Sequence, residues 1–562
     1  MTRRLSALRI GNFKAFGDTQ RVPLKPITLI FGPNSSGKSS FIHSLALAHE
    51  AQFGRDRRTP GGRLDVYHTG IGGSSIDLGG FRQFVHCGQA AKRVEWGAEL
   101  DVSALDGRLA QLLVGVKRLT IILAMGIELD DQDRPIVGAG PRVESIEISG
   151  DDTELLRMSR RRSDGVSNVM RLDRLATEHP VFQGLLKAMV ESATTSEQIR
   201  PEDQGVASDA IGELLSQLQV RIEHFLPAAV ERPDAPEAEA RSAPTLFPVS
   251  KGNRGADIAA AVRSWMPRAL NDLVLGLSET LSEELKKLQY LGPLRSFPPR
   301  HLAFAEHEDQ NWYAGGGYAW DMVRRDEKVR DAVNAWLGSS RLKTPYHLVV
   351  RKFVPFDDLR EPLARALEHQ SDEHASVEDA DVDGIWIRDP EEDAAQALMR
   401  VGAEIGEDIQ ELSLIDQRTG TRVTHRDVGI GISQVLPVLV AAYGSEQKLL
   451  AMEQPEIHLH PALQAELGDV FIESALGERQ NTFILETHSE HLILRLMRRI
   501  RETTAGELPE GRRALRPEDV QVLYFQPLVS GARVVELGIT PDGEFTSPWP
   551  DGFFPERAKE LF

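Results

Sequence analysis

The stretch Gly32-Pro33-Asn34-Ser35-Ser36-Gly37-Lys38-Ser39-Ser40 places two glycines, a lysine and a hydroxyl at the spacing G-x-x-x-x-G-K-[ST]. Glycines there let main-chain N–H groups curl around phosphate oxygens, and the start of a following helix adds partial positive charge. In such a loop Lys38 reaches the β- and γ-phosphates, and the Ser39 hydroxyl holds Mg2+. The spacing predicts a nucleotide site with Mg2+ as the companion cation.

A second group of candidates lies in the last third of the chain. KLLAM reads as a short buried strand that runs into Glu453-Gln454-Pro455-Glu456-Ile457-His458-Leu459-His460-Pro461. An acid at the carboxyl end of such a strand is where a phosphate-loop enzyme holds the water of its metal. The strand FILET leads into Glu486-Thr487-His488-Ser489. Upstream, His425 to Gln434, with Gly429, Gly431 and Ser433, opens a helix on a glycine-rich turn, a second anion-binding helix start. His458, His460, His488 and His491 allow a transition-metal reading, against which stands the lack of HExxH or paired-cysteine spacing.

These residues need elements to hold them. LSALRIGNF and PITLIF read as strands, and FIHSLALAHE after the loop as a helix. RVEWGAELDV and RLTIILAMGIEL alternate, which predicts a β-rich lobe ending near residue 150. Apolar residues from Ile211 to Phe225 recur at helical spacing, as do Leu270 to Leu288, and both predict packing helices. Residues 227–244 and 369–383 have the composition of linkers. From residue 400, ELSLIDQ, KLLAM and NTFILET alternate with helical patterns, implying a largely parallel sheet covered on both faces.

Composition narrows the class. The chain has 562 residues, 41% hydrophobic and 27% charged, the balance of a folded globular protein of several domains. A net charge of −19 argues against general coating of DNA or membrane. One cysteine, Cys87, cannot form an internal disulfide and points to a reducing cytoplasm. No apolar run has the length of a membrane span. The clusters Arg160-Arg161-Arg162 and Arg495 to Arg501 read as solvated faces, with a DNA track as the alternative.

Taken in order, NFKAF with PITLIFGPNSSGKSS, then GIGISQVLP, MEQPEIHLHP and ETHSEHL resemble the motifs of ATP-binding-cassette ATPases of the RecF/SMC kind. Within them, the branch related to the overcoming-lysogenisation-defect (OLD) proteins is similar, and YLGPLR and WPDGFFPE look like a bacterial subgroup of it. The resemblance covers about residues 1–100, 285–300 and 400–562. It implies an α/β fold: a split ATPase head, with a mixed sheet and an antiparallel β lobe, interrupted by an inserted, mostly helical arm. The expected divisions are 1–130, 131–400, 401–505 and 506–562.

The resemblance also assigns roles. Lys38 and Ser39 serve phosphate and Mg2+, Glu453 supports the metal through water, and His488 senses the γ-phosphate. Gly431, Ser433 and Gln434 contact the nucleotide of a second copy, so a head-to-tail homodimer or higher oligomer is expected. Phe13 and Phe16 are candidates to lie near the adenine, with core packing as the alternative. One departure stands out. Where the family carries a second acid after the first, this chain has Gln454, which leaves Gln454 or Glu456 to support hydrolysis and predicts slow turnover.

About 60 residues follow the last ATPase helix, too few for the nuclease domain of OLD nucleases. The expectation is therefore an ATP-gated switch controlling a separate, nuclease-like effector in anti-phage defence or DNA maintenance. The alternatives are a RecF-like DNA-binding repair clamp and a non-hydrolysing nucleotide-sensing scaffold.

Overall fold

The computed structural model describes residues 3–54, 71–73, 75–130, 132, 134, 136, 140–160, 168–194, 201–233, 254–295, 313–338, 341, 344–353, 409–424, 428 and 430–550. The chain divides into two units. One comprises Met1–Arg295, Tyr313–Gly316 and Ser445–Phe562, the other Ser296–Trp312 and Gly317–Gly444.

In the first unit, β3 (Ile27–Phe31) is buried at every residue, as is β15 (Leu449–Glu453). Continuous burial is what a strand covered on both faces requires, and it explains why ITLIF and LLAME lack alternation. β16 (Thr482–Glu486) lies between them, parallel to both. β11 (Leu288–Leu291) and β17 (Val520–Leu528) extend the parallel run, and β18 (Gly531–Leu537) closes one edge antiparallel. The order is β11-β15-β16-β3-β17-β18. Helix α1 (Lys38–Phe53) packs on β11 and β16, and a helix over Pro461–Leu476 packs on β16, β3 and a further helix over Glu490–Ala505.

The same unit holds a nine-stranded antiparallel sheet. Its strands are β1 (Leu5–Gly11), β2 (Gln20–Pro23), β4 (Val94–Asp101), β5 (Arg118–Gly126), β6 (Arg142–Gly150), β7 (Thr153–Ser159), β8 (Val169–Leu175), β9 (Gln219–Glu223) and β10 (Leu226–Glu231). They are ordered β10-β9-β8-β7-β6-β5-β4-β1-β2. Helices α2 (Pro180–Thr194), α3 (Pro201–Leu215) and α4 (Arg254–Lys286) belong with this sheet: α4 packs on β10, on α2 and on α3. A single apolar core runs from this sheet to the mixed one.

Two expectations are corrected here. The β lobe does not end near residue 150 but continues through β8, β9 and β10 to Glu231. The helix expected to reach Phe225 stops at Leu215, because Val220 and Ile222 are buried at a period of two in β9. The 270–288 pattern is met: Leu270, Leu273, Val274, Leu277, Leu281 and Leu285 are the buried face of α4, and Leu288 begins β11. Within residues 131–400, β6–β10 are therefore sheet, and the helices after Gly150 supply the helical part. The linker expected at 369–383 and most of that at 227–244 lie outside the described residues.

The second unit is built around β12 (Tyr346–Phe353), β13 (Ile409–Asp416) and β14 (Thr421–Val423), an antiparallel sheet in that order. Helices α5 (Gly317–Arg325), α6 (Glu327–Leu337) and α7 (Ile430–Gly444) pack together. Asn334, buried in α6, joins β12 by donating to the Leu348 carbonyl at 2.9 Å and accepting its N–H at 2.7 Å. The first-unit helices over Pro461–Leu476 and Glu490–Ala505 are α8 and α9.

Candidate functional site

The phosphate loop leaves β3 at Gly32, whose φ of 149° is open to glycine; a Cβ there would sit 2.6 Å from the Phe525 carbonyl oxygen. Gly37, at φ 102°, caps the start of α1. With both glycines turning the chain, Lys38 begins the helix directly beneath the loop. Its Nζ donates to the carbonyls of Gly32 at 3.1 Å and Pro33 at 2.9 Å. Burial lowers the Lys38 ammonium, while Glu486 and Glu453 act to raise it.

Glu453 and Glu486 are paired in register at the carboxyl ends of neighbouring parallel strands, so the sheet delivers two buried acids side by side. Glu486 Oε2 accepts from the Ser39 hydroxyl at 2.8 Å, and its Oε1 lies 3.9 Å from Lys38 Nζ. Burial, and then the Glu453 charge, push the Glu486 carboxyl up to about 7. Glu453 Oε1 accepts from the Tyr290 hydroxyl at 3.0 Å and lies 3.4 Å from His43 Nε2. His43 Nδ1 is in turn 2.9 Å from Lys14 Nζ. Ser39, Glu453 and Glu486 offer oxygen donors alone, the set that suits a small hard cation such as Mg2+.

Beyond Glu453 the chain turns through Gln454 in the left-handed region, φ 44°. Two groups hold that turn. The Gln454 N–H donates to the Glu486 carbonyl at 2.8 Å, and the buried Arg295 donates to the carbonyls of Glu453 at 3.0 Å and Gln454 at 3.1 Å. Burial brings the Arg295 guanidinium down to about 10. Glu456 accepts from the His488 N–H at 2.8 Å, and burial raises its carboxyl. A cavity of about 280 Å³ opens here, lined by Gln454, Glu456, His458, Gln464 and His488 among others. Burial and the Lys38 charge lower His488 and favour the neutral ring.

The fold thus brings together Lys38, Ser39, Glu453, Gln454, Glu456 and His488 beyond the carboxyl ends of the interior strands β3, β15 and β16 of the mixed sheet. Gly431, Ser433 and Gln434 stand at the start of α7 in the other unit; Ser433 is 1% exposed and Gln434 6%. His425 and Gly429 lie outside the described residues. Phe13 and Phe16 are fully buried, Phe13 against Phe84 and Phe16 against Phe525, so neither is an adenine platform. Arg495 and Arg499 are bound to Asp469 at 2.6 and 2.7 Å, and Arg498 to Glu502 at 2.6 Å, which takes them out of a basic track. His460 caps α8, accepting from Ala462 N–H. Among the described residues no group of three or more His, Cys, Asp or Glu converges for a metal, and no helix is long and apolar enough to cross a membrane.

Lys14, His43, Tyr290 and Glu486 received no role in the reading of the sequence. Two carried a usable signal. His43 follows Ser39 by four residues, hence on the same helix face. Glu486 ends a buried strand by the same rule that singled out Glu453. Lys14 and Tyr290 lie inside the quoted segments NFKAF and YLGPLR, but only the tertiary fold brings them near Glu453.

Comparisons with known proteins agree with this geometry. Residues 277–495 match the family described as "AAA domain, putative AbiEii toxin, Type IV TA system", and residues 7–99 match an AAA domain. With the phosphate loop and the acid-bearing strand ends, these matches give the chain a P-loop domain of the AAA ATPase kind. Residues 515–562 match a further family, described as a protein of unknown function, DUF3696. No curated protein matches the chain. Solved structures aligned to it include an SmcHead bound to the C-winged helix domain of ScpA, at 8% identity, 95% of this chain, 98% of that one and TM-score 0.35. An SMC head domain from Thermotoga maritima aligns at 9% identity, 96% and 100% coverage and TM-score 0.32.

Proposed function

We propose that this chain binds and slowly hydrolyses ATP, and that two copies close around the nucleotide to control a separate effector protein. What carries the reading is Lys38 and Ser39 held beneath the phosphate loop and facing the acids that end β15 and β16. Mg2+ would be held by Ser39 and Glu453, where it would neutralise charge on the phosphates. The loop from Gly32 to Ser40 surrounds the phosphates with N–H groups and Lys38 supplies charge. His488, kept neutral by burial and by Lys38, is suited to donate or accept one hydrogen bond at the γ-phosphate.

Slow turnover follows from the turn after Glu453. Gln454 orients water but takes no proton, and Glu456 already accepts from the His488 N–H. Gly431, Ser433 and Gln434 contact the partner copy's nucleotide in this reading. Since Ser433 and Gln434 are buried, closure must first uncover the start of α7. The effector is nuclease-like, serving defence against phage or DNA maintenance in a bacterial cytoplasm. The ion-paired arginines of α9 give no support to a DNA-clamp reading.

Calorimetry with ATP and Mg2+, followed by light scattering, tests the proposal. Wild type should bind and dimerise, and Ser433→Arg should bind without dimerising. A Ser433→Arg protein that closes like wild type refutes the composite site. Co-purification from the native host, with nuclease assays on the partner, tests the effector.

A further inference from the structure

We infer that Arg295 is a positioning residue for hydrolysis: by closing the turn after Glu453 it sets the Gln454 side chain in the cavity beside His488, where the attacking water is to be oriented. The inference rests on the ATP-hydrolysis reading and adds a residue outside the phosphate loop that governs the rate through Gln454.

β11 ends at Leu291, in register with Met452 on β15, and within the next few residues the chain brings Arg295 to the turn. On the way it leaves Leu294 76% exposed and buries Arg295 to 5% exposure. Turning a leucine out and a guanidinium in is unfavourable, so bonds that the guanidinium makes must offset it. Those bonds are specific. One nitrogen, Nη2, donates to two consecutive carbonyls, Glu453 at 3.0 Å and Gln454 at 3.1 Å. Neighbouring carbonyl oxygens drawn to one point repel each other, and Gln454 sits at φ 44°, a region that favours glycine. A positively charged donor opposes both costs. The Ile457 N–H, 3.1 Å from the Gln454 carbonyl, and the Gln454 N–H, 2.8 Å from that of Glu486, hold the same turn from other sides. The Gln454 side chain lines the cavity together with Glu456 and His488. Its direction follows from the backbone angles that Arg295 holds, so slackening the turn moves the amide off the water, and misplacement by about 1 Å is enough to slow a reaction severely.

A purely structural Arg295 would lower stability and leave the rate of the folded molecule alone. Arg295→Gln removes the charge and the reach. Arg295→Lys keeps a buried cation and loses the reach, so it decides the matter on the same criteria if Arg295→Gln fails to fold.

The experiment is single-turnover ATP hydrolysis by the full chain, with calorimetric ATP affinity and thermal melting for each variant. Arg295→Gln should hydrolyse about tenfold more slowly or worse, with ATP affinity within about threefold of wild type. Arg295→Lys should fall between the two. In a Gln454→Ala background, Arg295→Gln should slow the reaction by less than about threefold further, because the side chain it acts through is gone. An unchanged rate in a folded variant, a loss of ATP affinity equal to the loss of rate, or the full loss repeated in the Gln454→Ala background overturns the inference and leaves the hydrolysis reading standing. A wild type that binds ATP without hydrolysing it overturns both.

Discussion

Glu99 and Glu486 are both buried acids on strands of the first unit, and their surroundings differ in how many cations reach them. Glu99, on β4, receives Arg9 Nε at 2.8 Å and Arg21 Nη2 at 2.8 Å from β1 and β2. Burial acts to raise its carboxyl, but the hydrogen bonds and charges of Arg21 and Arg9 outweigh that and hold it below the usual range. Glu486 has Lys38 at 3.9 Å and a second acid beside it, and rises to about 7. The nine-stranded sheet gives its buried acid two guanidinium groups at bonding distance, whereas at the carboxyl ends of β15 and β16 the Lys38 ammonium stays 3.9 Å from Glu486. A buried acid raised beside a second acid, with no cation at bonding distance, marks a candidate functional site.

The sharpest way to break this contrast is to neutralise each acid in turn. Glu99→Gln should destabilise the fold by about 3 kcal/mol in urea unfolding at pH 7, because two guanidinium groups lose their carboxylate. Glu486→Gln should leave stability unchanged or raise it under the same conditions, since the change removes a carboxylate that burial disfavours and strands no cation at bonding distance. If both cost the same, the contrast is wrong. Lys38→Ala should weaken ATP binding at least a hundredfold, about 2.7 kcal/mol, while the chain stays folded by circular dichroism. Undiminished affinity would remove Lys38 from the phosphate site.

The two acids should also give opposite pH dependence. A carboxyl raised from 4.5 to about 7 binds its proton more tightly in the folded chain. Stability at Glu486 therefore falls as pH rises from about 4.5 to about 7, by on the order of 2 kcal/mol. Glu99, whose folded value is depressed, contributes stability above the ordinary carboxylate range that is lost as pH falls through its folded value. Denaturation curves from pH 4 to 8 should show the first slope in wild type and its loss in Glu486→Gln. On the reaction itself, restoring an acid after Glu453 should show: Gln454→Glu should raise single-turnover hydrolysis at least tenfold, or ~1.4 kcal/mol of barrier. Equal rates at saturating ATP and Mg2+ would show that another group already supplies the base.

Much of the fold and of the site is legible in the order of the residues. The glycines of the phosphate loop are dictated by backbone geometry, and φ values of 149° and 102° at Gly32 and Gly37 meet that demand. ITLIF, LLAME and TFILE are too short and too apolar to be anything but strands buried on both faces, and all three lie in the mixed sheet. Helical spacing misled where two periods overlap: Leu214, Leu218, Ile222 and Phe225 satisfy a helix, yet β9 uses Ile222 as a strand residue. Propensity over so few residues is outweighed by pairing with β8 and β10.

The sequence by itself determined the local chemistry: a loop shaped for phosphate, strands that end in acids, and helices that start at anion-binding turns. These rest on interactions within a few residues, which spacing alone can encode. Only the tertiary structure decided which of those groups share a charge environment. Parallel register sets Glu453 beside Glu486, the turn at Lys14 reaches His43, and β11 carries Tyr290 to Glu453 across 163 residues of chain. The electrostatics of the site depend on such distances, and a chain read in one dimension does not contain them.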